Sequence, residues 1–374
     1  MNPQNQKVTI SIALIALVVG GITYLDSQKV SRDTIGGKVE VQTTTGKEEK
    51  TKRYSVAKEI TTPDGFINTD GKSVTIGEFV GKKVVLLDIW TYSCINCQRT
   101  TPYLNAWYEK YKDKGLVIIG LHTPEFGFEK VYQNVLEATN RLGIKYPVVL
   151  DNDYSTWNAY QNRFWPRKYL IDIDGFMVYD HIGEGGYEET EEKIVELLNE
   201  RSLRLGMDAV VKAGVADKNT ETTDFSKIKT PEIYIGAARL SALANIPSTE
   251  CLSGVCEYVL PETTALNTFT LGGKWAMGAE NAVLSSDTGT IRLRFSANKV
   301  NLVAGAPKNV SAEIFLDGVP IQASLAGSEV MDGQVIFNTH NLYNLVDLKG
   351  DYGEHLLEIR FLQGEVSAFA FTFG

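Results

Sequence analysis

The sequence predicts an α/β domain followed by an all-β domain, both behind one apolar segment long enough to span a bilayer. Three observations carry this. The runs Val84 to Trp90 and Leu116 to Leu121 are continuously apolar and alternate with segments of helical spacing, the pattern of strands covered on both faces. Beyond residue 230 the period changes to two. Ile291, Leu293 and Phe295 alternate with Arg292 and Arg294; Ala312, Ile314 and Leu316 lead to the turn pair Asp317-Gly318; Leu357, Ile359 and Phe361 precede Phe369, Phe371 and Phe373. Finally, Val8 to Leu25 carries no charge.

The elements follow in order. Residues 1–25 read as an uncleaved signal anchor: Lys7 flanks the apolar run, bulky residues replace a small-x-small cleavage pattern at its exit, and no cysteine offers a lipid anchor. A cleaved signal peptide is the alternative. The expected location is the cell membrane, single-pass, with the rest of the chain outside the cytoplasm. Residues 26–58, rich in Thr, Lys, Glu and Gly, predict a flexible tether, because they cannot bury enough surface to fold.

Residues 59–205 predict the α/β domain. Short strands around Phe66 and Val74 form an N-terminal hairpin. Then come the strand Val84 to Trp90, a helix through Leu104, Trp107 and Tyr111, the central strand Leu116 to Leu121 and a helix near Val131 to Arg141. A helical segment around Trp157, strands near Tyr169 and Met177 and a last helix from Glu188 to Asn199 complete a mixed sheet. Residues 206–230 are a polar linker, and residues 231–374 an antiparallel β-sandwich. With 374 residues and 43% hydrophobic composition the chain supplies two cores. A net charge of −9 leaves no basic footprint, which excludes the nucleic-acid-binding classes.

Chemistry concentrates in Cys94-Ile95-Asn96-Cys97, placed between a buried strand and a helix. Unpaired amides and the positive dipole end at a helix start favour a thiolate. The dipole supplies about 0.3 to 1 kcal/mol against about 1.4 kcal/mol per pKa unit, so direct hydrogen bonds to sulfur must add to it. Cys94, nearer the helix tip, is the expected nucleophile and Cys97, one turn in, the resolving thiol. A structural disulfide and half of a zinc site are the alternatives. Zinc needs further Cys or His at ligand spacing, and only His122 is near in sequence, so no metal and no cofactor beyond the Cys94-Cys97 disulfide is expected.

The stretch Asp88-Ile89-Trp90-Thr91-Tyr92-Ser93-Cys94-Ile95-Asn96-Cys97, with Pro102 five residues on and Trp165-Pro166 ahead of a strand, resembles the thioredoxin-fold active site. Residues 60–205 are similar to the TlpA and DipZ-like extracytoplasmic thioredoxins. His122-Thr123-Pro124-Glu125-Phe126, Asp151-Asn152-Asp153-Tyr154 and Gly183-Glu184-Gly185-Gly186-Tyr187 are typical of the DipZ-like branch. The similarity runs to the terminal Ala370-Phe371-Thr372-Phe373-Gly374.

The resemblance implies a thiol-disulfide oxidoreductase acting on client proteins. It makes Asp88 a buried acid that trades a proton with Cys97, against the alternative of a solvated strand-end aspartate. It makes Pro166 a cis-proline facing the dithiol, and it gives Trp90, Trp165, Ile95 and Asn96 contacts with substrate; Trp90 is as easily a plain core residue. DipZ-type proteins join this unit to a multi-span electron-delivery domain, so a CcdA-type membrane donor acting in trans is the expected partner. The C-terminal domain resembles a jelly-roll, carbohydrate-binding-module-like sandwich, for which a glycan is a candidate ligand.

Some features depart from the pattern. Ile95-Asn96 replaces a dipeptide that usually ends in proline, and Thr100 stands where some cytochrome-maturation relatives place a glutamate. Trp275 and Tyr343 serve either a sugar platform or the core. His122 and Glu125 follow the central strand and fit capping or packing as well as proton transfer. Cys251 and Cys256 predict a local structural disulfide, a second exchangeable pair being the alternative. Two rival functions are a thiol peroxidase, for which Thr91 is at the right offset but Leu87 replaces the required proline, and a surface glycan- or protein-binding module with a vestigial dithiol.

Overall fold

A computed structural model describes residues 45–207, 211–214 and 223–374. The expected anchor, residues 1–25, lies outside the described residues, as does most of the tether and of the polar linker. Among the described residues no helix is long and apolar enough to cross a membrane. The chain divides into two units, Met1–Glu49 and Lys50–Gly374, and the second contains both the α/β and the all-β parts.

The tether expectation needs correction at its C-terminal end. Thr45–Arg53 is a helix, α1, and its Lys50 and the residues after it are fastened by tertiary contacts that composition does not reveal. Lys50 Nζ contacts Asp172 at 2.6 Å, Asp174 at 3.3 Å and Glu200. Ala57 N–H donates to the Gly175 carbonyl and Met177 N–H to that of Ser55, both at 2.9 Å.

The α/β part contains β1 (Gly65–Ile67), β2 (Val84–Trp90), α2 (Ile95–Tyr111), β3 (Leu116–His122), α3 (Tyr132–Arg141), β4 (Val148–Leu150), α4 (Ser155–Ala159), β5 (Arg167–Ile171), β6 (Met177–Ile182) and α5 (Tyr187–Arg204). The sheet order is β1-β4-β3-β2-β5-β6. β3 pairs in parallel with β2 and β4, and the remaining pairs are antiparallel.

All seven residues of β2 and of β3 are buried, as central strands with two covered faces require. Side-chain alternation splits them. Val84, Leu86 and Trp90 pack with Leu104 and Trp107 of α2 and Ile194 and Leu198 of α5. Val85, Leu87 and Ile89 face Ile60, Val74, Ile76 and Trp157. Asp88 therefore points to the α2 side.

The expected N-terminal hairpin is absent. Asn68, Asp70 and Gly71 take left-handed backbone and turn the chain away, so β1 pairs with β4 while Val74 buries its side chain outside any strand.

The C-terminal part contains β7 (Ile233–Tyr234), β8 (Val255–Tyr258), β9 (Thr268–Met277), β10 (Ala282–Leu284), β11 (Gly289–Ser296), β12 (Lys299–Gly305) and β13 (Val310–Leu316). β14 (Val319–Pro320), β15 (Val330–Met331), β16 (Gln334–Phe337), β17 (Asn341–Asp347), β18 (Glu354–Phe361) and β19 (Ser367–Phe373) follow. Instead of two separate sheets, these strands make one antiparallel sheet with the path β15-β16-β13-β18-β11-β9-β10-β19-β12-β17.

The fold-over lies in β9. Its first half, to Gly272, pairs with β11, and its second, from Gly273, with β8 and β10. Gly273 makes the bend at φ +93°, where a Cβ would come within 2.9 Å of the Thr288 carbonyl oxygen. A bridge from Ala326 to Val346 brings the two ends of the path nearly together. Within lies one core containing Phe295, Phe337, Phe361 and Phe371. Trp275 and Tyr343 belong to it, 0% and 4% exposed, and neither offers a face to a sugar. Cys251 and Cys256 are joined as a disulfide.

Candidate active site

Cys94 caps the N-terminus of α2. Its backbone is extended, and its Sγ accepts the Cys97 N–H at 3.4 Å, the role an aspartate or serine oxygen plays at other helix starts. No acidic residue occupies the first turn. Both cysteines are free thiols; Cys94 is partly exposed and Cys97 buried. Burial first, and then its hydrogen bond to Cys94, hold the Cys97 thiol well above the usual range. α2 continues through Pro102, with Thr100 and Thr101 hydroxyls donating to the carbonyls of Asn96 and Cys97 at 2.8 and 2.9 Å.

Asp88 lies beneath the dithiol, 2% exposed, with Oδ1 lacking a hydrogen-bond partner. Burial pushes its carboxyl up to about 7, and the Lys168 ammonium pulls the other way. Directly opposite Asp88 on β3 is Gly120; a Cβ there would approach the Trp90 indole nitrogen to 2.9 Å and the Tyr146 ring to 3.1 Å. Glycine thus makes room for the two aromatics beside the acid.

The Trp165–Pro166 peptide is cis. Ile89 pairs with Arg167, so antiparallel register sets Pro166 beside Trp90, at the strand end from which the chain runs on to Cys94. Pro166 is buried, its carbonyl accepting Gly183 N–H at 2.8 Å.

The four expected substrate contacts are placed differently from one another. Trp165 is half-buried at the rim, its indole donating to the Thr123 carbonyl at 2.9 Å. Ile95 is half-buried and packs with Phe128 on Phe126, Val303, Leu342 and Phe369, so the β-domain forms a wall beside the dithiol. Asn96 Oδ1 accepts from Arg99 at 2.6 Å, and Arg99 in turn holds Glu184 at 2.7 Å. Trp90, in contrast, is 2% exposed and turned into the core. It shapes the site from within and cannot meet a client. A cleft of about 610 Å³ opens along α2, between Ile95, Gln98 and Arg99 on one side and Leu342, Asn344 and Tyr352 on the other.

His122 is fully buried between Trp90 and Tyr92, and burial drives its imidazole down to about 3. It is a neutral packing ring. Glu125 accepts from Tyr234 and Arg239 at 2.9 and 2.7 Å and so binds the β-domain.

Two buried residues escaped the sequence reading. Glu129 accepts Ser93 N–H and Oγ–H at 3.2 and 2.7 Å on one oxygen, and the amides of Glu125 and Phe126 at 2.6 and 3.0 Å on the other. It fixes the residue before Cys94. Lys168, 0% exposed, lies directly across from Asp88 on β5. The alternation Lys168, Leu170 against Tyr169, Ile171 would have aimed it at the α2 face; the Glu129 fold-back leaves no such periodic trace.

Residues 55–198 match the family described as Redoxin, and residues 230–374 the thioredoxin-like C-terminal domain family. Protein DipZ of Mycobacterium tuberculosis is 36% identical over 316 residues, 83% of this chain and 41% of that protein; the chain thus spans about two-fifths of that relative's length. Thiol-disulfide oxidoreductase ResA of Bacillus anthracis is 35% identical over 128 residues, 34% of this chain and 70% of ResA. The solution structure of a thiol:disulfide interchange protein from Bacteroides sp. is 29% identical, covering 38% of this chain and 89% of that one, with a TM-score of 0.32.

Proposed function

The chain belongs to the thioredoxin-like family of thiol-disulfide oxidoreductases that includes ResA, and from this premise we propose that it exchanges disulfides with extracytoplasmic client proteins through Cys94 and Cys97. One observation carries the reading: a partly exposed sulfur caps a helix, a buried thiol is hydrogen-bonded to it, and an acid titrating near neutrality lies beneath both.

In the reducing direction the Cys94 thiolate attacks a client disulfide, forming a mixed disulfide and releasing one client thiolate, which takes a proton. The Asp88 carboxylate accepts the Cys97 proton. The Cys97 thiolate then attacks Cys94 Sγ, closing the Cys94–Cys97 disulfide and releasing the second client thiolate. The second client thiolate takes the proton back from Asp88, so the client gains two electrons from the dithiol and two protons, one from Cys97 by way of Asp88 and one from water, and the protein is left as the Cys94–Cys97 disulfide. Recharging needs a dithiol donor, which we assign to a CcdA-type membrane partner in trans. Val8 to Leu25 would hold the catalytic part at the outer face of that membrane. The single sheet folded over one core supports a jelly-roll-like reading of the C-terminal domain.

Trapping tests the reading. Cys97→Ala should leave Cys94 caught in mixed disulfides that a thiol reductant releases, visible as mobility-shifted adducts on non-reducing gels. A complete lack of adducts, with the variant folded, would overturn client exchange.

A further inference from the structure

The cleft along α2 starts at the residue after Cys94, and the exchange chemistry above does not use it. Ile95, Gln98, Arg99 and Pro102 line one wall, a three- and four-residue spacing that puts them on one face of the helix. From Ile95 to Pro102 the helix rises about 10 Å, a distance that an extended chain covers in about three residues. The opposite wall belongs to the β-domain, where Asn301 and Asn344 are cross-strand partners on β12 and β17. At about 610 Å³ the space falls within the roughly 300 to 1,000 Å³ of clefts that hold small ligands. A short segment fits, and a folded domain does not.

The lining suits an uncharged ligand rich in amides. Each charged side chain on the walls is already engaged: Arg99 by Glu184 at 2.7 Å and Lys299 by Asp347 at 3.4 Å, while Glu329 accepts the Asn344 N–H and the Ser328 hydroxyl at 3.0 and 2.6 Å. Gln98, Asn298, Asn301 and Asn344 contribute side-chain amides. Each amide carries a donor and an acceptor, the two functions of a peptide unit. Pro102 adds a backbone acceptor, because a proline inside the helix has no N–H for the Gln98 carbonyl one turn back. A sugar calls for an open aromatic face, and Tyr352 is engaged: Lys227 Nζ lies 5.5 Å from its ring centre, and its hydroxyl accepts the Asp224 N–H at 3.4 Å.

We propose that this cleft is a client subsite: it receives the extended stretch of about three residues that adjoins the client cysteine bonded to Cys94, so that the β-domain takes part in choosing clients. The proposal rests on reading Cys94 and Cys97 as an exchanging dithiol and adds where the neighbouring client chain lies. Client main-chain amides meet the Gln98 carbonyl and the asparagine side chains, and apolar client side chains lie against Ile95 and Leu342. Recognition then follows an extended backbone more than any one side chain. A small disulfide has no chain to place there and gains nothing from the cleft.

Ser328 lies exposed on the cleft wall, apart from the exchange chemistry, and Ser328→Trp fills the space. In the full chain this variant should raise KM for insulin about tenfold with kcat unchanged, the mark of lost uniform binding, and should reduce 2-hydroxyethyl disulfide at the parent rate. An unchanged insulin KM, or equal losses on both substrates, overturns the proposal. Should Ser328→Trp not fold, p-benzoylphenylalanine in place of Ser328 carries the test in the Cys97→Ala variant trapped with insulin. Light should link it to the insulin chain bonded to Cys94, and the lack of such a link overturns the subsite. Calorimetric binding of cellohexaose that Ser328→Trp abolishes, with insulin KM unmoved, makes the cleft a sugar site and overturns it equally. A parent that reduces neither insulin nor 2-hydroxyethyl disulfide sinks the dithiol reading itself; a parent that reduces both, with Ser328→Trp indistinguishable from it, sinks the subsite alone.

Discussion

The two cysteine pairs differ less in spacing than in surroundings. Cys94 and Cys97 are free, on the first turn of α2, with an amide donating to the outer sulfur and an acid and a lysine buried below. Cys251 and Cys256 are bonded across the junction of a short 3-10 turn with β8. Cys251 is packed in the apolar core of the β-domain, with the Ser248 hydroxyl 3.5 Å from its sulfur. Reactivity therefore comes from a helix start that offers its amide to an accessible sulfur and from a buried acid to take the proton; the second pair has a serine hydroxyl at one sulfur but is already bonded and follows a 3-10 turn.

The largest expected effect breaks this contrast outright if wrong. Cys94→Ser should abolish insulin-disulfide reduction in the turbidity assay, and Cys251→Ser with Cys256→Ser should leave the rate essentially unchanged. A redox role for the second pair would show as a loss in the double variant.

Asp88→Asn sharpens the comparison through stability. A folded-state carboxyl near 7, against an unfolded value near 3.8, means that the native state keeps a proton the unfolded chain loses. Stability is then fully present below pH 4, falls as pH rises towards 7 and is level beyond. Removing the acid should stabilise the reduced protein at pH 8 by up to about 4 kcal/mol, with the gain vanishing near pH 4. Urea unfolding at the two pH values measures it; equal effects at both would show that Asp88 is not the group responsible.

The smallest effect concerns the second disulfide. Closing so short a loop removes little chain entropy, so opening it should cost about 2 kcal/mol, read as a lower urea midpoint at unchanged slope. A much larger loss would assign the bond a packing role beyond loop closure.

What the sequence displayed was whatever repeats or alternates. The continuous apolar runs of β2 and β3, the helix start at Cys94 and the alternation in β11, β13 and β18 were all legible from neighbours in the chain. The hairpin expectation failed because strand propensity at Val74 says nothing of partners, and three left-handed residues sent β1 to β4 instead. The single folded-over sheet depends on Gly272-Gly273 letting one strand serve two sets of neighbours, a choice made by packing. At the site, the motif exposed Cys94, Cys97, Asp88 and Pro166 as candidates. It could not reveal Glu129, whose four donors come from Ser93 far upstream and from Glu125 and Phe126 just before it, nor Lys168, whose meaning lies in what faces it across the sheet. Of the two readings open for Trp90, its burial favours the core one: the indole nitrogen lies in the space that Gly120, opposite Asp88, leaves free.

The apolar seam that joins Ile95, Phe126 and Phe128 to Val303, Leu342 and Phe369 has a practical corollary for dissecting the molecule. Cutting the chain after the helix that ends at Arg204 would strip the partner from this seam and leave a greasy scar next to the reactive thiol. Sluggish or promiscuous behaviour in such a fragment would report the wound, and its clients would be those that stick as well as those that fit.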